Sequence, residues 1–299
     1  MALPEYSDKN GRAGFNQYMR NSRASLIVCL ALSALALCPR VAPGQIPAGA
    51  QIGSTRAVRE RQEQFFALTN QARARAGVRP VKWDSELAAA ALNHCLRMAA
   101  EGQIAHRYGG EPNVTERAAQ AGAHFSMIAE NVAVGSYVST IQQGWLDSPG
   151  HRANMLNPDV DRVGIAVVAS GGVIYAVADF SRDVPVFSPR QAEDAIAQLL
   201  RASGMEVLSD RNGARATCAT EHGLPRTVSG PEPRFVMRWQ DADLGHLPRP
   251  LVSKINSGDY RRAAVGSCPA QDVGGSFTVY RMAVLLYGPP TTNELKPFY

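Results

Sequence analysis

The sequence predicts an α+β fold, with helices packed on an antiparallel sheet and a second, smaller α+β region after them. Three observations predict it. Apolar residues recur at helical spacing between residues 58 and 156, and each run is closed by capping residues. Two β-rich runs, Val163 to Val168 and Val173 to Phe180, are joined by Ser170-Gly171-Gly172, which reads as a hairpin. After Asp183 the composition shifts through Val184-Pro185 and Ser188-Pro189, and a helical run followed by strand runs begins again. Helices first and a hairpin last imply a layered arrangement of helices on a sheet.

The elements follow in order. Residues 1–50 read as a signal peptide and linker: Arg20 and Arg23 precede an apolar run from Ala24 to Cys38, and Ala48-Gly49-Ala50 offers a small-residue cleavage site before Gln51. That run is shorter than the roughly 20 residues that span a bilayer; an uncleaved anchor is the alternative, and the only membrane attachment expected. Met19 begins a better-proportioned signal than Met1, so either can be the start. From Val58 a helix is expected with Phe65, Leu68, Ala72 and Ala76 on one face and Gly77 as its stop. Arg79 to Trp83 is an extended connection. Asp84 caps a second helix whose stripe is Leu87, Ala91, Cys95 and Met98, ending at Gly102. A capping box, Asn113 to Glu116, opens a short helix. Another runs from Ser139 to Trp145, and Ser148-Pro149 supplies an N-cap and first-turn proline for a helix reaching Leu156.

Residues 55–183 form the larger region, and residues 184–299 form the smaller one. There, Ser188 caps a helix with Ala192, Ile196, Leu199 and Leu200 inward and Gly204 at its end. Phe235 to Trp239, Tyr260 to Cys268 and Phe277 to Tyr287 read as strands, with a short helix at Pro250 to Asn256.

Charge excludes one class of function. The chain carries +5, of which +3 falls in residues 1–50, so the remaining residues hold only +2 with both signs interspersed. Nucleic-acid binding wants a basic stripe, and none is present. Of five cysteines, Cys29 and Cys38 lie in the signal, leaving Cys95, Cys218 and Cys268. Cys95 sits on a buried helical stripe, so in an oxidising compartment the expected disulfide is Cys218–Cys268.

Three polar segments stand out: Ala105-His106-Arg107, Ala129-Glu130-Asn131-Val132, and Trp145-Leu146-Asp147-Ser148-Pro149-Gly150-His151-Arg152-Ala153-Asn154. With Asn70, Arg73 and the Trp83-Asp84 segment before them, their order resembles the bacterial branch of the CAP superfamily (cysteine-rich secretory, antigen 5 and pathogenesis-related proteins). The resemblance covers Glu60 to Ser181. It implies an α-β-α sandwich in which His106, Glu130 and His151 face one open cleft, with Ser148 and Asn131 beside them. Two departures are visible. Many eukaryotic members carry a second glutamate where this chain has Ser148, and the family's Gly-Glu-Asn reads Ala129-Glu130-Asn131. His94, His124, His222 and His246 match no motif and are assigned no role.

Two imidazoles beside a carboxylate can bind a divalent cation such as Zn²⁺, with His106 and His151 as ligands, or can tune one another's protonation. No cofactor is required by this reading. A hydrolase would also need an activated nucleophile, an oriented base and oxyanion donors. Ser148 is accounted for as an N-cap, and no Gly-x-Ser-x-Gly elbow is present. The leading expectation is therefore a secreted or periplasmic, monomeric, non-catalytic module whose cleft binds a lipid or cell-envelope component. A metal-assisted or serine hydrolase is the first alternative. An envelope interaction protein, with recognition in the C-terminal region, is the second.

Overall fold

The computed structural model describes residues 55–225, 231–271 and 276–289; the signal-peptide reading of residues 1–50 lies outside them. The chain is mixed helix and sheet, and it builds two four-stranded sheets in sequence. No helix among the described residues is long and apolar enough to cross a membrane.

The first sheet takes its helices from local signals. Helix α1 (Thr55–Arg75) gives way to Gly77 in the left-handed region, φ 71°. Strand β1 (Lys82–Trp83) leads to α2 (Ser85–Glu101), where Asp84 accepts a hydrogen bond from the Leu87 N–H at 2.8 Å and Gly102 closes the end at φ 71°. Helix α3 (Val114–Gln120) opens on the expected reciprocal box between Asn113 and Glu116. Then come β2 (Phe125–Gly135), α4 (Val138–Asp147), α5 (Pro149–Met155), and the hairpin of β3 (Arg162–Ser170) and β4 (Val173–Asp183), which turns on Gly171 and Gly172, both at positive φ.

The sheet runs β1-β3-β4-β2, with β1 parallel to β3 and the other pairs antiparallel. Alternation along β4 sorts its side chains into two cores. Ile174, Ala176, Ala178 and Phe180 pack with Phe65 of α1, Trp145 of α4 and Met155 of α5. Tyr175 and Val177 pack with Ala91, Cys95 and Met98 of α2. The result is an α-β-α sandwich. Gly164 in β3 lets α2 approach: a Cβ there would stand 2.1 Å from the Ala88 nitrogen. Arg73, fully buried, donates to the carbonyls of Arg79, Met155, Asn157 and Val160 and so ties α1 to the far end of α5. Asn70 bonds Val81 through both backbone groups. These two residues are structural braces.

Strand β2 is a correction to the sequence reading, which expected no strand there. Its Glu130 and Asn131 interrupt the apolar alternation that marks strands, yet pairing to β4 carries both into the sheet.

The second sheet follows from α6 (Pro189–Ala202), β5 (Glu206–Val207), α7 (Asn212–Ala219), β6 (Phe235–Asp241), α8 (Arg249–Asn256), β7 (Arg262–Cys268) and β8 (Tyr280–Tyr287). Ser188 and Gln191 form a capping box at α6, and Gly204 follows its end at φ 81°. Helix α7 and strand β5 are further elements that the sequence did not announce. The sheet order is β5-β7-β8-β6, β5 parallel to β7 and the rest antiparallel. Helices α6 and α8 cover one face through Ile196, Leu200, Leu251 and Ile255, and α7 covers the other through Ala214 and Cys218.

This is the topology of the first sheet again. Helix, short strand, helix, edge strand, helix, hairpin occur in the same order, with α3 lacking a counterpart and α8 standing for α4 and α5. The register repeats too. Gly164 pairs with Asp179, which pairs with Glu130. Gly266 pairs with Ala283, which pairs with Arg238. Gly266 also has its namesake's role, since a Cβ there would stand 2.2 Å from the Arg215 nitrogen of α7. Cys218 on α7 is bonded to Cys268 on β7, with Cα atoms 5.7 Å apart, and Cys95 is free and buried. The two sheets meet where the Thr278 N–H donates to the Phe125 carbonyl at 2.8 Å and Phe277 packs edge-on against Phe125.

Candidate functional site

Strand β2 is an edge strand, and successive residues on it face opposite layers. Glu130 points toward α2 and α3, and Asn131 toward α5. Asn131 is fully buried. Its Nδ2 donates to the His151 carbonyl at 2.9 Å, and its Oδ1 accepts from Asn154 Nδ2 at 3.0 Å. Asn154 also donates to the Glu130 carbonyl. The motif asparagines therefore clamp the short helix that carries His151 onto the strand that carries Glu130.

Both oxygens of Glu130 are engaged, and its side chain is only 3% exposed. Oε1 meets His106 Nδ1 at 2.8 Å. Oε2 accepts from Arg117 of α3 and lies 3.9 Å from His94 Nε2. Arg117 also donates to the carbonyls of Pro112 and His106, fixing the segment that presents the imidazole. His106 keeps 58% of its side chain exposed. His151 is half-buried, and desolvation, with a smaller contribution from the nearby His106, holds its imidazole below the usual histidine range, which favours the neutral ring.

Four residues that sequence reasoning left out complete the cluster. His94 is fully buried; its Nδ1 meets Glu111 at 2.7 Å and its Nε2 the Ala105 carbonyl at 2.8 Å. The two partners are a carboxylate and a backbone carbonyl, so both ring nitrogens are engaged. Glu111 in turn accepts from the Tyr108 N–H and lies 3.9 Å from Arg117. Asp179 stands directly across from Glu130 with neither oxygen bonded, and the Arg117 Nε is likewise buried and unpartnered. Burial pushes the Asp179 carboxyl well up, the Glu130 charge adds to this, and Arg117 opposes it, so the neutral acid is favoured. One of the four was accessible from sequence: His94 shares the stripe of Leu87, Ala91 and Met98, and a histidine on a buried stripe must have a polar partner.

Ser148 is a second correction. It occupies the N-cap position of α5, but its hydroxyl makes no capping hydrogen bond; Pro149 in the first turn sets the helix start instead. Ser148 and His151 share no hydrogen bond among the described residues. Trp145 is core as expected, 1% exposed, packed at a tilt against Phe65 and donating to the Val132 carbonyl. His124, His222 and His246 are exposed and stand apart from the cluster.

For a metal the donor set does not fit. Glu130 is turned onto Arg117 and His106, and among the described residues no three of His, Cys, Asp and Glu are grouped to hold an ion. Of the expected cluster that leaves His106 and His151, two donors where a protein zinc site takes three or four.

Comparison with known proteins places this arrangement. Residues 66–180 match the CAP family, described as the cysteine-rich secretory protein family. The chain is 31% identical over 111 residues to the uncharacterized membrane protein YlbC of Bacillus subtilis (strain 168), covering 36% of this chain and 31% of that protein. It is 26% identical over 113 residues to the uncharacterized protein YkwD of the same strain, covering 38% of this chain and 44% of the relative. The match thus spans under half the length of either relative. Among solved structures, an extracellular protein containing an SCP domain from Bacillus anthracis str. Ames is 28% identical with a TM-score of 0.40, covering 42% of this chain and 41% of that one. The family match spans α1 through β4 and includes each motif that builds the cluster around Glu130. Residues 66–180 are a domain of the CAP, or cysteine-rich secretory protein, family.

Proposed function

We propose that this chain is an exported binding protein whose CAP cleft, formed by His106, Glu130 and His151, takes a lipid or a cell-envelope component without cutting it. The observation that supports this most is the engagement of Glu130. A carboxylate bonded at both oxygens and desolvated between Arg117 and His106 is a fixed floor, not a free general base. The half-exposed His106, bonded to Glu130, and His151, whose backbone is held by the Asn131 clamp, offer a prepared polar surface. Ser148 lacks a hydrogen bond to His151, and nucleophilic catalysis needs that pairing.

The experiment is a panel of lipid vesicles, peptidoglycan fragments, esters and peptides offered to the full chain with and without Zn²⁺. Saturable binding without turnover, weakened at least tenfold by His151→Ala in a variant that stays folded, is the expected result. Turnover abolished by the same substitution would replace this reading with a hydrolase.

A further inference from the structure

The second sheet repeats the first down to its register, and at the position where the first holds Glu130 it holds Arg238. The strand pairing places Gln240 opposite Arg281, so Arg238 and Arg281 lie diagonally on adjacent strands, facing α7. Arg238 is half-buried; Nε donates to the Thr217 carbonyl at 2.7 Å, and one terminal nitrogen donates to Thr220 Oγ1 at 3.1 Å and to the Gly223 carbonyl. Arg281 is 8% exposed and bonds through a single nitrogen, to the Thr220 carbonyl at 3.4 Å. Every one of these acceptors is uncharged, and among the described residues no carboxylate forms an ion pair with either guanidinium.

Other guanidiniums show how this chain normally treats them. Arg211 and Arg215, in the same repeat, are matched by Glu193 and Asp194. Arg73, buried like Arg281, spends Nε and both terminal nitrogens on four carbonyls. Arg281 leaves most of its five N–H groups unspent, and Arg238 leaves a whole terminal nitrogen. None of these spare groups is sealed from water. The two charges disfavour one another: after burial, Arg281 is what lowers the affinity of Arg238 for its proton. The elements that carry the pair are also braced. Arg281 is flanked by Cys268 on β7, whose disulfide to Cys218 pins α7, and by Gln240 on β6, which is bonded to the Gln271 backbone at both ends of its amide.

We propose that Arg238 and Arg281 form a second ligand site that takes a phosphate group. Two adjacent guanidiniums carry two positive charges and two donor forks. A phosphate monoester carries between one and a half and two negative charges with three acceptor oxygens. A single carboxylate brings one negative charge to the two positive ones, where a phosphate monoester brings nearly two. The site is independent of the CAP cleft, so either can fail without the other.

The test uses the full chain with its disulfide intact and inorganic phosphate as the probe, titrated by calorimetry at constant ionic strength. Saturable binding is expected, at least tenfold weakened by Arg281→Gln and unchanged by Arg190→Gln, which alters an exposed arginine elsewhere in the repeat. Arg281→Lys keeps the charge but not the fork, and is expected to fall between; it also serves if the glutamine variant fails to fold. Co-sedimentation with phosphatidic acid vesicles but not phosphatidylcholine vesicles would identify a lipid headgroup as the source. Phosphate binding without vesicle binding would identify a soluble phosphate. Absence of saturable binding, equal binding of acetate, or a response indifferent to Arg281→Gln would overturn the proposal, leaving the two arginines as caps on the α7 carbonyls.

Discussion

Glu130 and Asp179 are neighbours across one pair of strands with opposite electrostatic fates. Glu130 has Arg117 and His106 to answer its charge; Asp179 has no bonded partner and is sealed more deeply. Glu130→Gln leaves the buried Arg117 guanidinium with only the longer 3.9 Å pairing to Glu111, and about 3 kcal/mol of stability should be lost in urea denaturation. Asp179→Asn should behave differently with pH. The folded carboxyl is raised above its unfolded value, so its contribution is intact below about pH 4 and declines as pH rises toward the folded value. The wild type should therefore lose stability relative to Asp179→Asn by up to about 1.4 kcal/mol per pH unit above pH 4, as read by denaturation at several pH values. A difference independent of pH would mean that Asp179 is ionised in the fold. Glu130 and His106 were legible as motif residues. Asp179 was not, because nothing in Ala176-Val177-Ala178-Asp179-Phe180 says which face of a sheet it will take until β2 supplies the register.

Helices were more legible than strands because their signals are local. Asp84 and Gly102 bracket α2 within the segment itself, and Asn113 with Glu116 announces α3. Strand β2 has no such bracket; it is a strand because β4 pairs with it, and β4 comes later in the chain. Helix α7 went unnoticed for a related reason. It begins on Arg211 without a side-chain cap, and its close approach to the sheet depends on Gly266. Gly164→Ala and Gly266→Ala test that dependence in the two repeats. Each new methyl would meet helix backbone near 2 Å, which no rotamer change relieves. Each should cost about 3 kcal/mol in thermal or urea unfolding. An effect below about 1 kcal/mol would show that the helix can slide outward freely.

For the whole molecule, the disulfide and the strand order carry the consequences. The bond between Cys218 and Cys268 closes a separation of 50 residues, which in the chain-entropy model stabilises by about 4 kcal/mol. Reduction should therefore lower the melting of the second repeat more than that of the first, splitting one thermal transition into two; a single transition shifted as a unit would mean that the Phe125–Phe277 contact couples the repeats strongly. The division into two regions was visible in the sequence at the composition shift after Asp183, but the second sheet's kinship to the first was not, since it lives in pairing and register. That shared strand order also bears on how the protein is made. In each repeat the two central strands are the last to be synthesised, while both edge strands are made earlier and wait unpaired. A ribosome-bound chain lacking its final hairpin would thus hold two separated strands with exposed backbone, prone to pairing with whatever strand arrives first. In the second repeat the arriving hairpin is a close topological copy of the one already placed, so the first repeat is best completed before the second emerges, and the length of chain between them sets the interval in which that must happen.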